Sequence, residues 1–81
     1  MSKSQHASRY KTLPGFLRKM REDAGLTQRQ LGGKLKTTHM FVHKSEIGER
    51  RVDIMEFMDW CVACGVNPDR GWRDLRRARG V

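Results

Sequence analysis

Helix punctuation constrains this chain more than any other feature of its sequence. Residues suited to open a helix stand at Thr12, Thr27, Thr38, Asp53 and Asn67-Pro68, and glycines suited to close one stand at Gly25, Gly48 and Gly65. Ser, Thr, Asp and Asn side chains accept the unpaired N–H groups of a first turn, and glycine takes the left-handed conformation that ends a last one. Apolar residues recur at helical spacing between these marks, and no alternating strand pattern is present. The expectation is an all-α domain, a compact bundle of five short helices.

The segments differ in what they can bury. Phe16, Leu17, Met20 and Ala24 form one stripe on the first, which Thr12 caps and whose first turn holds Pro14. The second, Gln28 to about Leu35, has only Leu31 and Leu35 as apolar positions, with Gly32 and Gly33 between them. An interior glycine costs ~1 kcal/mol against Ala, and close approach of another helix would explain the pair. After the turn at Lys36 and Thr37, the third helix runs from His39 to about Ile47 and offers His39, Met40 and His43 on its first turns. With so little to bury, it is held for what it presents. The fourth has Ile54, Phe57, Met58, Cys61 and Cys64 on its inner face and leaves Met55, Trp60 and Val62 partly exposed. With Trp72 and Leu75 on the short fifth helix, these three make a candidate dimer surface. Residues 1–11 read as a flexible basic arm, 12–77 as the folded domain and 78–81 as a frayed tail.

The net charge is +8, and it is one-sided. Residues 1–26 carry six basic and two acidic side chains, residues 27–52 the same, and residues 53–81 five of each. A basic face against a neutral remainder suggests a polyanion partner. Eighty-one residues bury only ~60% of the unfolded surface. That leaves little room for a substrate cavity, so a binding module is expected rather than an enzyme. There is no apolar signal core, and no run approaches the ~20 residues of a membrane span. Two cysteines are too few for a disulfide framework. The chain reads as soluble, reduced and cytoplasmic.

Two short helices joined by a tight turn, the second polar outside, fit a helix-turn-helix. The run Ala24-Gly25-Leu26-Thr27-Gln28-Arg29-Gln30-Leu31 resembles the start of that motif in phage-repressor and Cro-like (xenobiotic-response-element type) regulators. Ser45-Glu46-Ile47-Gly48-Glu49-Arg50-Arg51-Val52-Asp53 is similar to the family's exit from its recognition helix, and Gly65-Val66-Asn67-Pro68 to the end of its fourth helix. The resemblance covers about residues 16 to 70. It implies a lambda-repressor-like domain that binds double-stranded DNA, with recognition helix 38–47 in the major groove. It further implies a transcriptional regulator, simplest as a repressor occluding polymerase, bound as a homodimer to a palindromic operator. No cofactor is implied.

The resemblance also assigns residues. His39, Met40 and Lys44 stand where side chains reach base edges. Lys44 would donate to guanine, and Met40 or Phe41 would touch a thymine methyl. Gln28 stands where the family contacts phosphate and braces the first recognition residue. Lys36, His43, Arg50, Arg51 and Arg21 complete the candidate phosphate contacts. Arg21 and Glu46 match a structural ion pair, and Val42 and Leu31 the core positions that lock the two helices together. Three residues depart from the family pattern. Lys36 replaces the usual turn glycine, where a left-handed backbone costs ~1 kcal/mol. Phe41 is bulkier than usual and is expected to bury against Gly32 or Gly33. Ser45 replaces an apolar core residue.

Other readings are weaker. His39-x-x-x-His43 and Cys61-x-x-Cys64 could be named a zinc site, but their order is wrong for a finger. The cysteines serve equally as small core hydrophobes, so no metal is expected. Glu22, Asp23 and Glu46 lack a nucleophile or phosphate loop and read as surface charge plus one ion pair. The alternative function is an antitoxin or a helix-turn-helix protein-interaction module.

Overall fold

The computed structural model describes residues 10–81. Its helices are α1 (Thr12–Asp23), α2 (Gln28–Lys34), α3 (His39–Glu46), α4 (Ile54–Ala63) and α5 (Pro68–Arg79). There is no strand among the described residues. Four of the expected caps act as such. Thr27 and Asp53 each close a capping box, with Gln30 and Glu56, and Thr38 accepts from the Phe41 N–H. Asn67 accepts from Asp69 N, with Pro68 opening α5. Thr12 is not a cap. It lies inside α1, and Lys11 holds the capping position without a side-chain bond.

Both ends of the folded unit differ from expectation. Of the basic arm, residues 1–9 lie outside the described residues. Tyr10 belongs to the fold, because its hydroxyl accepts a 2.8 Å bond from Val52 N. At the other end Ala78 and Arg79 are helical rather than frayed. Gly80, at φ 93°, turns the chain so that Gly80 N and Val81 N both bond Arg76 O, at 2.8 and 2.9 Å.

The core gathers Leu17 and Met20 from α1, Leu31 from α2, Val42 from α3, and Phe57, Trp60 and Cys61 from α4. Trp60 is fully buried, and its indole N–H donates to Leu17 O at 3.2 Å. This corrects its assignment to a dimer surface, because Trp60 shares the inner stripe with Phe57, Cys61 and the half-buried Cys64. Ile54 is corrected the other way and is 58% exposed. Helical side chains tilt toward the N-terminus, so at the first position of α4 Ile54 projects past the helix end. Met55 and Val62 are exposed as expected, as is Trp72, while Leu75 is half-buried. They do not line one groove. Val62 borders one with Lys34, Leu35 and Lys36, whereas Trp72 and Leu75 border another with Leu13, Arg76 and Arg79.

Only one of the paired glycines has a packing reason. A Cβ on Gly32 would lie 2.9 Å from both the carbonyl carbon and the oxygen of Thr38, so the start of α3 can rest against α2 only because that carbon is missing. A Cβ on Gly33 would meet nothing within 4 Å. Gly32→Ala is therefore expected to destabilise by ~1–3 kcal/mol through backbone displacement, while Gly33→Ala stabilises by up to ~1 kcal/mol through helix propensity. Urea denaturation of both variants checks this, and equal effects would remove the contact from the account.

Candidate nucleic-acid interface

The turn between α2 and α3 keeps a glycine-like backbone despite the lysine in it. Lys36 takes φ 59°, the left-handed conformation expected of a glycine there. Thr37 N bonds Gly32 O at 2.8 Å and Lys36 N bonds Gly33 O at 3.1 Å, which satisfies the last carbonyls of α2. Lys36 stays exposed, so its charge is free while its backbone is strained.

α3 has two unlike sides. Val42 and Ser45 are fully buried and Glu46 nearly so, whereas Met40 and Lys44 are exposed and His39 is half-buried. Ser45 satisfies its own hydroxyl by donating to Phe41 O at 2.8 Å, one turn back. A polar residue therefore fits a position expected to be apolar. His39, Met40 and Lys44 remain available at the surface.

Phe41 does not join them. It is half-buried, and the Arg50 guanidinium lies 4.2 Å from its ring centroid. The ring packs beneath the loop after α3, and the Gly33 surface stays empty. Arg50 is also committed. Its Nη1 and Nη2 donate to the two Glu56 carboxylate oxygens at 2.9 and 2.6 Å, and Nη1 reaches Arg51 O. This hydrogen-bonded pair holds the Glu56 carboxyl below its ordinary range. Phe41 is thus a platform for a paired arginine, and both terminal nitrogens of Arg50 are engaged within the protein.

Arg21 is corrected in the same way. It is 8% exposed, with Nε and Nη2 on Glu46 at 2.7 and 3.0 Å and Nη1 on Leu26 O at 2.8 Å. The expected ion pair to Glu46 is present, and it holds the Arg21 guanidinium in the interior rather than at the surface. The pair ties α1, the start of the α2 segment and the end of α3 into one unit. Gln28 adds to it, since its Nε2 donates to Glu46 Oε1 at 3.1 Å and lies 3.4 Å from His43 Nδ1. Gln28 therefore braces His43, one turn along α3, rather than the first recognition residue His39.

Arg51 is exposed, and its guanidinium sits 5.0 Å from the Tyr10 ring centroid. Sequence reasoning missed this brace. No local pattern announces it, because Tyr10 meets Val52 across 42 residues of chain. Exposed Lys36, Lys44 and Arg51 thus supply positive charge on the turn, on α3 and just beyond it.

The zinc reading fails on placement. Cys61 is buried against Gly71, where a Cβ would stand 2.6 Å from its sulfur, while both histidines lie on α3. Among the described residues no group of three or more His, Cys, Asp or Glu side chains could hold an ion. Burial pushes both thiols up to about 11. Among the described residues no helix is long and apolar enough to cross a membrane.

Comparison with known proteins agrees with this geometry. The helix-turn-helix domain family matches residues 13–71. An XRE-family like protein from Pseudomonas syringae pv. tomato str. DC3000 is 38% identical, superimposes with a TM-score of 0.80, and is matched over 94% of this chain and 93% of its own. No curated protein matches the chain. The paired Arg21 and Glu46, the left-handed turn at Lys36 and a third helix held by Val42 and Ser45 are therefore local features of a shared architecture, and the chain belongs to the Cro- and XRE-like helix-turn-helix family.

Proposed function

We propose that this chain is a DNA-binding transcriptional regulator without catalytic activity. It reads duplex DNA with α3 in the major groove, in the cytoplasm where that DNA lies. The observation that carries the proposal is the division of α3. Val42, Ser45 and Glu46 are locked inward, while Met40 and Lys44 stand free, with Lys36 exposed before the helix and Arg51 after it. A helix clamped on one side and cationic on the other suits a polyanionic groove.

In this reading Lys44 donates to guanine, Met40 meets a thymine methyl, and Lys36 and Arg51 neutralise phosphates. One helix reads few base pairs, so two copies on a palindrome, ~34 Å apart, supply the specificity. The exposed Met55 and Val62 on α4 and Trp72 on α5 are the apolar surfaces available for that pairing. Bound at a promoter, such a dimer represses by excluding polymerase.

Selection of bound sequences from a random duplex pool tests the proposal and returns specificity and half-site spacing together. Affinity for the selected site should fall steeply between ~50 and ~200 mM salt. Lys44→Ala is expected to weaken binding by ~1–3 kcal/mol and relax preference at one base pair, whereas Arg51→Ala weakens binding to all sequences alike. A pool that returns no enriched sequence, or binding indifferent to salt, would refute the proposal.

A further inference from the structure

We propose that Gln28 is a positioning residue for His43, its amide oriented by Glu46 so that α3 presents the imidazole in a single tautomer, as a fixed hydrogen-bond donor through Nε2. This rests on the DNA-reading role of α3 proposed above.

The inference starts at the ion pair. Arg21 engages both Glu46 oxygens, at 2.7 and 3.0 Å, and so fixes where that carboxylate points. Glu46 Oε1 also accepts from Gln28 Nε2 at 3.1 Å. Turning the Gln28 amide over would set its carbonyl oxygen against the carboxylate, two acceptors with no proton between them. The amide nitrogen must therefore face inward. Its second hydrogen is then directed at His43 Nδ1, 3.4 Å away. A nitrogen that receives a hydrogen bond carries no proton of its own, so in the neutral ring the proton resides on Nε2.

Two consequences follow for the interface. Gln28 spends both amide hydrogens inside the protein and keeps only an acceptor oxygen, which a phosphate cannot use. The phosphate-donor role implied at this position by the family pattern passes instead to His43. The half-buried His43 ring then offers an N–H, so its partner on DNA is a hydrogen-bond acceptor. Phosphate oxygens and guanine O6 or N7 share that chemistry. His39 lacks any such brace among the described residues and serves as an internal reference on the same helix.

The test joins imidazole nitrogen NMR with a double-mutant cycle on the selected DNA. In alkaline buffer, with nitrogen-labelled histidine, His43 should show an unprotonated Nδ1 and a protonated Nε2 more completely than His39. Gln28→Met, close in size, should bring His43 to the tautomer mixture of His39. Identical His43 signals in the two proteins would overturn the inference without any DNA being present.

On DNA, His43→Ala should lower affinity roughly tenfold, the size of one charge-assisted hydrogen bond. Gln28→Met should do the same alone and add nothing in the His43→Ala background. Additive losses would mean that Gln28 contacts DNA independently, and would overturn the positioning role. A loss equal on all sequences assigns the His43 donor to phosphate, and a loss confined to one base pair assigns it to guanine. Were the unaltered protein to bind no DNA, the functional reading would fall while the NMR comparison still decided the brace.

Discussion

Arg21→Ala is expected to destabilise the domain by ~3–5 kcal/mol, because it leaves the Glu46 carboxylate buried without its partner. Glu46 is 6% exposed, and the alanine would remove both guanidinium bonds to it as well as the bond to Leu26 O. For a domain of this size ~4–8 °C accompanies each kcal/mol, so the melting midpoint should fall by ~12 °C or more. The Glu46 hydrogen bonds also hold the Arg21 guanidinium above its ordinary range, so the arginine stays charged in any working buffer.

The control is the double replacement of Arg21 by Met and Glu46 by Leu. Removing both charges together should recover most of the loss, since the larger part of the penalty belongs to the orphaned carboxylate. Thermal unfolding followed by circular dichroism measures each variant. An Arg21→Ala protein that melts with the unaltered chain would show that the pair does not hold α1 to α3.

Trp60→Ala should be comparably damaging, at ~3–5 kcal/mol, because it opens a cavity at the centre of a thin core. Trp60 is fully buried among residues of several helices, and its indole N–H is bonded to Leu17 O. The matched variant is Trp72→Ala. That tryptophan is 51% exposed, and its loss should change stability by no more than ~0.5 kcal/mol. Chemical denaturation of the two variants gives the contrast directly. If Trp60→Ala instead left stability intact and altered only the oligomeric state, Trp60 would have to be placed on an interface rather than in the core.

The two tryptophans show where sequence reading succeeds and where it stops. The punctuation at Thr27, Thr38, Asp53 and Asn67 gave helix starts that the structure keeps, because capping is settled within about four residues of chain. Trp60 was harder. Phe57, Cys61 and Cys64 leave open which side of α4 is widest, and a large ring at the stripe's edge can turn either way. Burial was decided by α1, whose backbone carbonyl at Leu17 offers the indole a polar partner 43 residues away.

The candidate interface divides along the same line. Exposed Lys44, Met40 and Lys36 were legible, since a helix with few apolar residues must show the rest. Which charges are free was not legible. The family resemblance implied the pair of Arg21 with Glu46. Arg50 and Arg51, however, look alike in the sequence, yet one is bound to a carboxylate and the other rests beside a tyrosine ring. Phe41 likewise changed from a groove-facing residue to a platform once Arg50 was seen above it.

By itself, then, the sequence determined the order of helices, four of their five caps and the exposed Lys44 on α3. All of these rest on interactions within a few residues, where local conformational preference dominates. Only the tertiary structure decided that Gln28 faces His43 and Glu46, that Arg50 is bound to Glu56, that Tyr10 supports Arg51, and that Gly32 rather than Gly33 admits the neighbouring helix. Each of those outcomes depends on a side chain meeting a partner brought from elsewhere in the chain. Hydrogen bonds and ion pairs act over about 3 Å, so nothing short of the packed arrangement can select among chemically equivalent candidates.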